Sequence, residues 1–211
     1  MVEQKIKPLG NDMKILIAGA TGNTGQRLTQ MLAQSDHELI AMHRASSDLS
    51  VLPADIQTRE ADLTDLDDGV CDGCDAVVFA AGSGGDTSEE MTEKVDRDGA
   101  KSLIDHAKAA GVDHFVMLSS VGAGDPDKSS DLHHYLVAKH EADEHLKASG
   151  LSYSIVRPVA LTDDDGSRNI RLGDEVDPGG KAARGDVAAV LARAVTDATL
   201  AGKTFLMESQ L

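Results

Sequence analysis

The chain has 211 residues, 41% of them apolar and 27% charged, with a formal charge of −16 at neutral pH and an isoelectric point near 4.7. That composition is globular rather than disordered or fibrous, and so acidic a surface repels a phosphate backbone or an anionic membrane and offers no basic stripe to either. No apolar run approaches the roughly 20 residues of a membrane span, and the polar N-terminus has no apolar signal core, so a cytoplasmic protein that binds neither nucleic acid nor membrane is expected.

Residues 1–12 carry no periodicity and read as a flexible N-terminal tail, leaving 13–211 as one domain. Short apolar runs of strand length stand at 14–18, 38–43, 76–80, 114–118, 152–157 and 204–208, mostly β-branched or aliphatic as in buried parallel strands. Between them, helical spacing predicts helices over 24–34, 89–110, 132–149 and 185–198. In the second of these Val95, Gly99, Leu103, His106 and Ala107 share one side; in the third Tyr135, Leu136, Lys139, Ala142 and Leu146 do. Gly111 and Gly150 stand where C′ caps belong. Strand alternating with helix predicts right-handed βαβ units in a single-domain α/β Rossmann fold, a doubly wound parallel sheet with helices on both faces. The stretch 159–183, with Asp163-Asp164-Asp165-Gly166 and Pro178-Gly179-Gly180, reads as a long irregular loop and a small C-terminal substrate-loop region.

Two features invite a metal or redox reading that the context disfavours. Cys71 and Cys74 have C-x-x-C spacing, but no second ligand pair completes a tetrahedral site and the pair runs into the strand at 76–80 instead of opening a helix. Packing at a strand entrance is the better account. The Asp163–Asp165 run lacks the alternating ligands and distal Glu of a calcium loop, so it reads as a solvated turn, and no metal is expected.

The first strand ends directly in Gly19-Ala20-Thr21-Gly22-Asn23-Thr24-Gly25, and a helical pattern follows at once. Gly19 permits a sharp turn, Gly22 lets backbone approach a pyrophosphate, and Gly25 lets the helix pack tightly on the strand. The pyrophosphate then lies on helix N-terminal N–H groups around Gly22, Asn23 and Thr24. Where an NAD site has an acid at the end of the second strand, this chain has His43-Arg44, followed by Ser46 and Ser47. Arg44 suits a ribose 2′-phosphate, so NADP(H) is expected to be preferred and NAD(H) possible; the alternative is an exposed loop arginine. Asp62 and Leu63, after the third strand of the sheet, either border the adenine or cap a turn. Ala80, Ala81 and Gly82 end the fourth strand, where small residues let the dinucleotide pass close by.

The motifs 18–25, Asp62-Leu63, Phe115–Ser120, Tyr135–Lys139, Ser149–Pro158 and Arg184–Ala188 together resemble the atypical short-chain dehydrogenase/reductase superfamily. More narrowly, the chain is similar to its small NAD(P)H-binding members, the NmrA-like and epimerase/dehydratase-like proteins. The resemblance covers nearly everything after Met13. It implies cofactor on the first turn, reaching Pro158, and a hydroxyl from Ser119 or Ser120 working with Tyr135 and Lys139. Residues four apart on a helix face the same way, so Lys139 can lie beside Tyr135 and near the nicotinamide ribose. A tyrosine with a pKa of about 10 is a poor acid-base group at neutral pH unless positive charge stands nearby. Tyr135 packing as part of an amphipathic turn is the alternative. His133 and His134 read as surface or pocket-lining residues.

The leading expectation is an NADP(H)-dependent oxidoreductase acting on a small carbonyl, alcohol or conjugated substrate, which would enter over 82–85 and under the loop after Pro158. A non-catalytic dinucleotide-binding redox sensor of the NmrA-like kind is the alternative, followed by a nucleotide-sugar epimerase or dehydratase. A monomer or homodimer is expected.

Overall fold

The computed structural model describes residues 12–83, 87–128 and 130–210, so all but Asp12 of the expected tail lies outside the described residues. The strands are β1 (Lys14–Ala18), β2 (Glu38–His43), β3 (Gln57–Glu60), β4 (Ala76–Phe79), β5 (His114–Leu118), β6 (Ser152–Pro158), β7 (Ala160–Thr162), β8 (Ile170–Leu172), β9 (Lys181–Ala183) and β10 (Lys203–Ser209). Their main sheet runs β3-β2-β1-β4-β5-β6-β10-β8, parallel throughout except for the antiparallel β8 at one edge. The reversal of strand order beside β1 opens a crevice at the carboxyl ends of β1 and β4, where an open α/β sheet binds its ligand.

The helices are α1 (Asn23–Leu32), α2 (Glu89–Thr92), α3 (Ala100–Ala109), α4 (His133–Ser149) and α5 (Arg184–Thr196), and a π-helical stretch, Glu93–Gly99, joins α2 to α3. Successive side chains of a strand point to opposite faces, and β1 shows why its run is apolar without alternation. Ile15 and Ile17 pack with Leu28 of α1 and Val187 and Leu191 of α5. Leu16 and Ala18 pack with Leu103 and Ile104 of α3 and Leu146 of α4. Gly111 and Gly150 adopt left-handed backbone (φ +75° and +85°) just past α3 and α4, as the cap positions require.

One expectation about the chain's periphery is corrected, and one strand leaves no apolar signal. The stretch 159–183 is not one irregular loop: β7 pairs with β9 in a separate two-stranded sheet, and β8 lines β10. Three-residue strands are too short to leave a periodic signature. β3, Gln-Thr-Arg-Glu, lies on the opposite sheet edge with three of its four residues exposed, so no apolar run announces it; charge on an edge strand discourages pairing with another chain. Cys71 and Cys74 are free, buried core residues, and burial pushes the Cys71 thiol up to about 12, which leaves it inert as a nucleophile. Among the described residues, no helix is long and apolar enough to cross a membrane.

Candidate functional site

The glycine turn is built by close approach of backbone. Gly19 has φ +82°, and a Cβ there would come within 2.6 Å of the Ala81 backbone. At Gly25 a Cβ would lie 2.0 Å from the Gly19 carbonyl oxygen. These two positions therefore exclude any side chain, and Ala80 and Ala81 are small for the same reason. Gly22 differs: a Cβ would meet only the Gly19 oxygen, at a tight 3.3 Å, and would otherwise face open space. The Gly22 N–H bonds the Gly19 carbonyl, leaving the amides that follow, Asn23 and Thr24, for a ligand. No side chain caps α1, and its first turn holds no acid. A helix N-terminus with a positive dipole end, uncapped N–H groups and a Cβ-free cradle fits a pyrophosphate. Thr21, half-buried, completes the turn.

The second strand delivers His43, half-buried, and Arg44, exposed, to the same crevice. The Ser47 hydroxyl accepts from the Arg44 N–H at 3.1 Å, shaping the loop. Asp62 caps a turn, its Oδ1 accepting from both the Thr64 N–H (2.9 Å) and hydroxyl (2.8 Å). Those bonds, with the Arg44 charge as a smaller contribution, hold its carboxyl below the usual range. Leu63 lies against the π-helical stretch, where a Cβ on Gly99 would approach its carbonyl oxygen to 2.8 Å. Gly82 is exposed; Gly84 and Gly85, on the expected substrate path, lie outside the described residues.

Deeper in the crevice, Lys139 of α4 and Asp96 of the π-helical stretch form an ion pair of 2.8 Å in which both side chains are almost wholly buried. Burial is the largest influence on Asp96 and opposes its charge, yet the Lys139 ammonium and the Ser83 N–H, 2.9 Å from Oδ2, prevail and hold the carboxyl below its usual range. For Lys139 burial likewise opposes the charge, and Asp96 outweighs it, so the amine is held protonated well above its ordinary range. The ammonium also donates to the Leu118 carbonyl (3.3 Å) and lies 5.7 Å from the Tyr135 ring centre and 5.6 Å from that of Phe79. Tyr135 itself is half-buried.

Asp96 is the residue that the sequence reading missed. Uniform helical spacing put Val95 on the inward side, whereas the structure buries Thr92, Asp96 and Gly99. The stretch that carries Asp96 is π-helical, a distortion that recurs at functional sites. The available signal was the spacing: Thr92, Asp96 and Ala100 stand four apart on what becomes a buried face.

The two serines separate. The Ser119 hydroxyl, buried, donates to Asp143 Oδ2 at 2.8 Å, and Arg157 reaches the same oxygen through Nε (3.0 Å) and Nη2 (2.9 Å). Ser120, next along and half-buried, lies at the crevice end of β5. Pro158 is buried at the end of β6, its carbonyl accepting from Val121. His134 is 3.8 Å from Glu89, and both it and His133 are half-buried.

The Asp163–Asp165 run is exposed, as expected of a solvated turn, and two of its carboxylates are also ion-paired. Arg184 Nη1 meets Asp163 at 2.7 Å, and Arg27 Nε meets Asp165 at 2.9 Å. The motif Arg184-Gly185-Asp186 explains itself here: a Cβ on Gly185 would strike the Asp165 backbone at 2.0 Å, and Asp186, buried, accepts from Arg168 and from Ser209. The segment after β6 is thereby tied to the N-terminal ends of α1 and α5. Among the described residues, no group of three His, Cys, Asp or Glu side chains could hold a metal ion.

A Rossmann sheet with this turn at its switch point defines a dinucleotide-binding protein. Residues 19–198 match the model of a family described as NAD(P)H-binding. The uncharacterized sugar epimerase YhfK of Bacillus subtilis is 37% identical over 175 residues, 79% of this chain and 81% of that protein. A solved Bacillus halodurans structure of NAD-dependent epimerase/dehydratase type superposes with a TM-score of 0.87 at 34% identity, over 94% of each chain. The oxidoreductase ylbE from Lactococcus lactis gives 0.82 at 31% identity, over 94% of this chain and 91% of that one. The chain belongs to the NAD(P)H-binding family.

Proposed function

We propose that the protein is an NADP(H)-dependent oxidoreductase that moves hydride between the cofactor and a small carbonyl, alcohol or conjugated substrate. The observation that carries the reading is the buried Lys139 ammonium beside the Tyr135 ring, at the crevice into which the glycine turn opens. In this reading Asn23 and Thr24 amides hold the pyrophosphate, Arg44 takes the 2′-phosphate, and Ala81 and Gly82 lie along the nicotinamide half. The bound nicotinamide supplies the hydride. Tyr135 transfers the proton at the substrate oxygen, Ser120 donates to that same oxygen, and Lys139 fixes a positive charge beside the tyrosine. Ser119 holds Asp143 and takes no part at the substrate. The oxidoreductase description of the Lactococcus lactis relative supports this class.

The test is NADPH consumption over a panel of aldehydes, ketones and enones. Turnover is expected with some of them, and Tyr135→Phe lowers kcat by about 10² to 10⁴ with NADPH affinity nearly unchanged. Tight NADPH binding with no turnover on any compound favours the second reading, a dinucleotide sensor. One observation favours that reading: Lys139 is engaged by Asp96 and the Leu118 carbonyl, which leaves it a single N–H for a ribose hydroxyl.

A further inference from the structure

In a chain of net charge −16, the cations beside the phosphate turn are already partnered. Arg27, one turn into α1, donates Nε to Asp165 (2.9 Å), Nη2 to the Asp163 carbonyl (2.6 Å) and Nη1 to the Asn23 carbonyl (2.7 Å). Arg184, the first residue of α5, holds the Asp163 carboxylate at 2.7 Å. The same Asp163 oxygen lies 3.5 Å from Asn23 Nδ2, on the residue whose amide opens α1. A carboxylate from the segment after β6 therefore sits at the end of the cradle, where α1 supplies no acid of its own.

Exposure decides how firmly it is held. The Asp163 and Asp165 side chains are 76% and 83% exposed, whereas Arg27 and Arg184 are 22% and 24% exposed. Exposed ion pairs contribute little, and a guanidinium prefers a phosphate it can meet with two N–H groups. Building on the dinucleotide reading above, we infer that Arg27 and Arg184 are pyrophosphate ligands that change partners: in the free protein they hold Asp163 and Asp165, and on cofactor binding they turn to the diphosphate. Asp163 is then a resident competitor for the phosphate site, and cofactor binding releases the segment that borders the substrate crevice.

Calorimetric titration with NADPH and with adenosine 2′-phosphate, which lacks the pyrophosphate, tests this. Arg27→Ala and Arg184→Ala are each expected to weaken NADPH about tenfold or more, while Asp163→Asn tightens it up to about fivefold. Adenosine 2′-phosphate affinity stays unchanged in all three. Asp164→Asn, which removes the same charge from a carboxylate bonded to Thr162, leaves NADPH affinity unchanged. If the arginines serve only to fasten the segment, arginine and aspartate variants shift NADPH affinity in the same direction, or not at all, and the exchange is overturned. Equal tightening by Asp164→Asn, or of adenosine 2′-phosphate, also overturns it in favour of a general charge effect. Failure of the unaltered protein to bind NADPH overturns the dinucleotide reading together with it.

Discussion

Among the described residues three aspartates are wholly buried beside a cation, Asp96, Asp143 and Asp186, and the first two behave in opposite ways. Asp96, in the π-helical stretch, is held below the usual carboxylate range; Asp143, on α4, is pushed above it. Burial is the largest influence on both. Asp96 overcomes it because its two oxygens have separate partners, the Lys139 ammonium on one and the Ser83 N–H on the other. At Asp143 the hydrogen bonds from Ser119 and Arg157 Nε both fall on Oδ2, with Arg157 Nη2 ion-paired to the same oxygen, and Oδ1 has neither hydrogen bond nor ion pair. A buried carboxylate is stabilised by how its donors are distributed over both oxygens, more than by having a cation nearby. The carboxylate at the crevice is favoured in its charged form, while burial disfavours the charge of the one behind β5 and β6.

The largest expected effect tests the firmer pair. Asp96→Ala leaves a buried ammonium without a counter-ion and is expected to cost about 3 to 5 kcal/mol in denaturant unfolding. The double variant Asp96→Ala/Lys139→Met should recover a substantial part of that loss. Additive costs would mean that the two charges are not coupled.

A smaller effect is expected at the second pair. Asp143→Asn keeps an oxygen for Arg157 and Ser119, and its nitrogen takes a position that already lacks a partner, so about 1 to 3 kcal/mol is lost. A cost equal to that at Asp96 would break the comparison.

The smallest effect is a pH dependence that sharpens it. At the opposite end of the sheet, His114 is buried and bonded to the Ala194 carbonyl, Ser152 and Ser154, and burial lowers its pKa. The unfolded chain takes up a proton at about 6.5, so the stability from neutral His114 is lost as pH falls from there toward the depressed folded value. Asp143 works in the other direction: its folded pKa is raised, so its contribution is present at acid pH and lost as pH rises through that folded value. Melting temperature should therefore fall between pH 7.5 and 5.5, and the fall should flatten in His114→Gln. A fall that survives His114→Gln would assign it to other groups.

What could be read from the sequence was whatever repeats or whatever glycine alone permits. The turn at Gly19–Gly25, the strands β1, β4 and β5 and the Tyr135/Lys139 spacing are all local patterns. The unread parts depend on partners far apart in the chain. Ser119 and Ser120 differ only because Asp143, 24 residues on, takes the first hydroxyl. The Asp163–Asp165 run gains its meaning from Arg27, 138 residues before Asp165. Asp96, in a stretch of changed helical pitch, was missed because a buried carboxylate is explained only by its partner Lys139, 43 residues on.

That change of pitch sets a rule for insertions and deletions. The π-helical stretch Glu93–Gly99 places Asp96 inward while α3 keeps Leu103, Ile104 and Ala107 on the sheet. Removing one residue from its end, at 97–99, would leave α3 seated but would rotate everything before the excision, Asp96 included, by roughly 100°. Thr92 and Asp96 would swing off the buried side, and Lys139 would lose its counter-ion. A relative that is one residue shorter here must either carry its acid at the neighbouring position or have exchanged Lys139 as well, so the length of this single turn can be used to sort sequences by whether they retain the charged crevice.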